Sequence, residues 1–137
     1  MNSLNSCLTR GLLIAAGLLA AGIAAMIVLA PGRFYAGYGI DIGNNVNLAN
    51  ELKAPAGMLL ATSLMMLAGA FRKHLLLRSL VVASALFSSF GLSRLVSMAI
   101  DGIPSSGLIS AAAIELALGA LCLTALYHHS RREQGWT

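Results

Sequence analysis

Arg94 and Glu115 are the residues of this 137-residue chain best placed to do chemistry, because each stands alone inside a long apolar run. A guanidinium and a carboxylate in such surroundings can form an ion pair, hold a polar ligand, or pass a proton through the carboxylate. Ionisable side chains at membrane depth are costly unless they face a partner, a bundle interior or a water-filled cavity, so the two define a candidate intramembrane site. No other pattern rivals them. His74, His128 and His129 fall at the ends of apolar runs, Cys7 and Cys122 form no CxxC motif, and no zinc spacing, phosphate loop or nucleophile motif is present. The methionines are scattered and read as flexible packing. No catalytic residue, metal-ligand set or cofactor site is therefore expected.

The elements that carry the two charges follow from composition. With 58% hydrophobic and only 10% charged residues, the chain lies far from the soluble average of roughly a quarter charged. Four apolar runs meet the requirement of about 20 residues per helical crossing, at residues 11–30, 51–71, 79–100 and 108–127. Backbone groups in lipid must be paired within their own segment, which makes these runs helices. The expected fold is all-α, a single domain of four antiparallel transmembrane helices. The first run is too long for a signal core of roughly 7–15 residues, and its best cleavage site is followed by Pro31. It is kept as a permanent helix, and the Leu4-Asn5-Ser6-Cys7 string that resembles a lipoprotein box precedes it instead of following it.

The formal charge of +4 is explained by the bilayer better than by nucleic acid, since the basic residues gather at the ends of apolar runs. With the N-terminus inside, Arg10, Arg72, Lys73, Arg78, Arg131 and Arg132 face the cytoplasm and only Arg33 and Lys53 face out. The bias predicts both termini in the cytoplasm of a bacterial inner (plasma) membrane protein. The outer segment from Pro31 to Asn50 reads as a glycine-rich lid whose Phe34, Tyr35 and Tyr38 anchor at the lipid interface. Asn50 reads as the N-cap of the second span, with Glu51 in the first turn, Pro55 early enough to cost little, and Lys53 reaching to the headgroups.

Depth then joins the two charges. Arg94 lies six residues before Ile100 and Glu115 seven after Leu108, so at about 1.5 Å per residue both sit roughly 10 Å below the same surface. A short Gly- and Pro-containing turn makes the third and fourth spans neighbours. On the third, Gly91, Arg94, Ser97, Met98 and Asp101 share a stripe, and on the fourth Ala111, Ala112, Glu115, Gly119 and Cys122 share another. Small residues beside a charge let helices approach closely. The reading is an intramembrane polar cluster of Arg94 and Glu115 with a rim of Asp101, Glu51 and Lys53. It ties the bundle together first and marks a site second.

The order Tyr38-Gly39-Ile40, Asn50-Glu51-Leu52-Lys53-Ala54 with Gly57, Gly91 with Arg94-Leu95, Asp101-Gly102-Ile103-Pro104, and Glu115-Leu116 with Gly119 resembles a bacterial four-span membrane family known as a domain of unknown function, number 4345. The chain departs from that pattern in Lys53, where the family usually has arginine, and in Pro55. The resemblance implies the four-span fold and no activity.

Two roles fit these residues. One is a non-enzymatic accessory or scaffold subunit packing against another membrane protein or itself, with Gly17, Ala21 and Ala25 as a contact seam on the first span. The other is a small transporter or ligand-binding bundle with its polar site at Arg94 and Glu115. A membrane enzyme using Glu51, Asp101 and Glu115 ranks behind both, because nothing supplies a nucleophile or a metal.

Overall fold

The computed structural model describes residues 3–134, with side chains described over residues 6–131. Leu4, Asn5 and Arg132, on which the lipoprotein-box comparison and part of the charge count rest, have side chains outside the described set. Four long helices carry the chain: α1 (Ser3–Leu29), α3 (Val46–Phe71), α4 (Leu76–Asp101) and α5 (Ser106–Gln134), with the short α2 (Pro31–Ala36) between the first two. Each long helix contains a segment long and apolar enough to cross a membrane. The protein is an all-α, four-span membrane bundle. Several hydroxyls inside the spans are satisfied by their own helix: Thr62 donates to the Met58 and Leu59 carbonyls, Ser63 to Leu60 and Ser84 to Leu80.

The helices begin earlier than their apolar runs imply, and the clearest correction is at α3. Asn45, not Asn50, is its N-cap: the Asn45 side chain accepts from the Leu48 N–H at 3.0 Å. Glu51 is consequently beyond the first turn. Pro55 lies well inside the helix, where its missing N–H deprives the Glu51 carbonyl of its usual donor. The asparagine-rich residues 44–50 concealed this start, because a helix can continue into water once its cap is supplied.

The segment read as a lid is partly helical. Ala30 leaves helical geometry (φ −143°, ψ 58°) and Pro31 opens α2, the first-turn position where a missing N–H costs nothing. Gly39 then adopts φ 77°, and the Ile40 N–H returns to the Tyr35 carbonyl at 3.1 Å. Asp41 caps the next turn by accepting from the Gly43 N–H at 2.8 Å, and Ile42 is buried, which pins the segment to the bundle.

The helices pack in the order α1, α3, α4, α5, and α1 and α5 barely touch. Two hairpin-like pairs result, α1 with α3 and α4 with α5, joined along α3 and α4. Small residues set each approach, since van der Waals packing drives helix association in lipid. A Cβ on Gly17 would come within 3.0 Å of Leu67, one on Gly69 would collide with Ser79, and one on Gly119 would stand 3.0 Å from the Ser88 nitrogen. Ser79 also donates to the Met65 carbonyl at 2.7 Å, tying α4 to α3. Gly17 is therefore used inside the bundle, and Ala25 is exposed, so the proposed seam of Gly17, Ala21 and Ala25 is not one outward face. At the end that carries both termini, Leu13, Ala16, Met66, Leu80, Ala83 and Cys122 form a closed core.

Candidate functional site

At the opposite end, the loop end, the two helix pairs diverge. Leu59 and Phe87, which belong to the buried core, also floor a cavity of about 570 Å³. Its sides are apolar, including Ile23 and Ile27 from α1, Phe90 from α4 and Ile114 from α5, while Phe34, Tyr35 and Tyr38 roof it from α2 and the turn that follows. The three roof rings pack edge to face, with Phe34 5.2 Å from Tyr35 and 5.4 Å from Tyr38. Gly107 holds the far side of the roof, because a Cβ there would stand 3.0 Å from the Tyr38 ring. The loop between α1 and α3 thereby reaches across to the first turn of α5.

The charged pair lies in the wall of this cavity. Arg94 Nε donates to Glu115 Oε2 at 2.8 Å, leaving 33% and 17% of the two side-chain surfaces exposed. The pair is thus neither sealed in a core nor free in solvent, and both members line the cavity. Its register comes from the glycines: a Cβ on Gly91 would come within 2.7 Å of Leu116, and Gly119 lies against Ser88. That close approach of α4 to α5 brings Arg94 within reach of Glu115 about one turn further toward the loop end. Mutual neutralisation and a charge-assisted hydrogen bond offset part of the cost of holding both groups out of water.

The guanidinium bonds Glu115 through Nε alone; its terminal amino groups have no other hydrogen-bond partner among the described residues. Arg94 also borders a crevice of about 80 Å³ with Ser97, Met98, Pro104 and Leu108. Burial holds the Tyr35 phenol above its ordinary pKa, and Tyr38 adds to the shift while the Arg94 charge opposes it. Tyr35 is therefore a neutral hydrogen-bonding group throughout the physiological range.

The other residues of the expected rim stand apart. Asp101 accepts from the Ser97 hydroxyl at 2.9 Å at the exposed end of α4, and the chain turns away at Gly102 (φ 99°). Glu51 and Lys53 are exposed on α3 and line neither cavity, although their neighbours Leu52 and Pro55 do. A carboxylate and an ammonium on either side of the lining Leu52 are exposed without entering the cavity wall, which residue order alone does not reveal. The aromatics of residues 34–38, expected at the lipid interface, also roof the cavity. Their crowding among glycines beside Pro31 was the signal that could have marked a structured roof.

Helix number, apolar exterior and a half-open cavity with an ion pair in its wall define a four-span, all-α membrane protein. The chain belongs to the family described as Domain of unknown function (DUF4345), whose pattern matches residues 8–126. No curated protein and no solved structure matches it.

Proposed function

We propose that the protein is a membrane ligand-binding bundle whose site is the loop-end cavity between the two helix pairs. The observation that carries this reading is the cavity itself: about 570 Å³, apolar on its sides, with Arg94 and Glu115 as a focused polar contact. Small-molecule sites typically span roughly 300–1,000 Å³ and combine apolar walls with a few placed polar groups. A bundle with only a packing role gains nothing from leaving such a space beside its ion pair. The accessory-subunit reading draws on apolar helix faces rich in Ala and Gly, and contact with lipid accounts for these equally well.

The test uses an apolar photoactivatable probe on the full chain in lipid nanodiscs. Labelling is expected to concentrate on cavity-lining peptides containing Phe90 and Ile114, and Ala111→Phe, which fills the space from α5, is expected to abolish it without loss of folded protein. Labelling spread evenly over exterior positions such as Leu121 and Leu123 would sink the proposal.

A further inference from the structure

The charge balance of the cavity selects among ligands. Arg94 and Glu115 are the charged side chains in its wall, and they are bonded to each other; Asp101, Glu51 and Lys53 do not line it. The wall is therefore electrically neutral as it stands. A ligand with a net charge would bring an uncompensated ion into low-dielectric surroundings, and its approach to one partner would be opposed by the other. A neutral head incurs neither cost.

Hydrogen-bonding capacity narrows the choice further. Arg94 keeps its terminal N–H groups, Tyr35 and Tyr38 are among the lining residues and each has a hydroxyl, and Glu115 keeps Oε1 as an acceptor. The Ser110 hydroxyl is already committed to the Ser106 carbonyl at 2.9 Å. Arg94 only donates, the Glu115 carboxylate only accepts and a tyrosine hydroxyl can do either, so the matching head carries acceptor oxygens, hydroxyls or both. The body must be apolar enough to lie against Ile23, Ile27, Phe90 and Ile114.

Resting on the reading of the cavity as a binding site, we infer that its ligand is an uncharged amphipathic lipid with a carbonyl- or hydroxyl-bearing head, received by the intact Arg94–Glu115 pair. The head oxygens accept from Arg94 and the tyrosines, and a head hydroxyl donates to Glu115. The ion pair remains closed when the site is filled, so binding needs neither proton transfer nor a counter-ion.

Native mass spectrometry of the full chain, released from detergent after incubation with lipids of one oleyl chain and different heads, tests this. Monooleoylglycerol, oleyl sulfate and oleyl trimethylammonium are the probes. The expected result is one monooleoylglycerol per chain, preferred over either ion by about tenfold or more, as the cost of an unpaired charge requires. Preference for the sulfate or the ammonium would overturn the inference while leaving the cavity a binding site. Retention of no lipid at unit stoichiometry, or loading that never saturates, would overturn the binding reading as well. The double variant Arg94→Gln/Glu115→Gln, which stays neutral and keeps amide donors and acceptors, should retain selectivity for monooleoylglycerol. If it instead binds the charged lipids equally, neutrality of the wall is not what excludes them, and the inference is overturned.

Discussion

The two ends of the bundle use the same four helices to opposite effect. At the terminal end, Gly69 lies against Ser79, Gly17 lies against Leu67, and Ser79 donates to the Met65 carbonyl, so the helices close on a core of Leu13, Met66, Leu80 and Cys122. At the loop end each pair stays packed, α4 on α5 at Gly91 and Gly119 and α1 on α3, but the two pairs stand off from each other around Phe87, Phe90 and Ile114. The difference teaches where polarity is tolerated. Serine hydroxyls in the closed end are bonded to backbone carbonyls, whereas the full charges sit at the edge of the open end, paired but still accessible. A membrane bundle that closes by small-residue contacts at one end only leaves a space at the other, and here that space contains the ion pair.

Substitutions in the two ends can break or sharpen this contrast. The largest effect is expected from Gly69→Val, which forces α3 away from Ser79; it should cost about 3 kcal/mol, the upper end of overpacking, read as loss of resistance to unfolding in detergent. Arg94→Gln should cost about 2 kcal/mol, below the roughly 3–5 kcal/mol of a sealed pair because the cavity leaves both groups partly accessible. The double variant Arg94→Gln/Glu115→Gln should recover most of that loss, and a loss equal to the sum of the single variants would mean that the two groups do not interact. Asn45→Ala should cost about 1 kcal/mol through loss of the α3 cap, while Asn50→Ala should stay within about 0.5 kcal/mol; the reverse order in thermal unfolding would return the helix start to Asn50. The smallest effect is expected from Ala111→Phe, within about 0.5 kcal/mol, since the added ring enters open space. A large destabilisation there would show that the loop end is as tightly packed as the terminal end.

Some of this was legible in the chain and some was not, for identifiable reasons. The contact between Arg94 and Glu115 could be anticipated because a short turn makes α4 and α5 neighbours and fixes their relative depth. The start of α3 was missed because hydropathy marks where a helix enters lipid and not where its first turn forms. Asp101 could be assigned to the Arg94 stripe by spacing, yet its carboxylate bonds Ser97 instead of reaching toward the pair. Glu51 and Lys53 could be placed at the correct end of the bundle but not on a face, since that depends on how α3 is rotated against α1 and α4.

By itself the sequence determined a four-span helical membrane protein, because runs of about 20 apolar residues admit no other way to satisfy their backbone in lipid. It also determined which charges stand inside the apolar runs and which of them are neighbours along the hairpin. Only the tertiary structure decided that α1 and α5 stay apart, that Phe34, Tyr35 and Tyr38 roof the gap, and that the ion pair faces a cavity instead of a seam. Those outcomes depend on packing between helices distant in the chain, where a few glycine contacts set the approach, and no local pattern of residue types encodes that geometry.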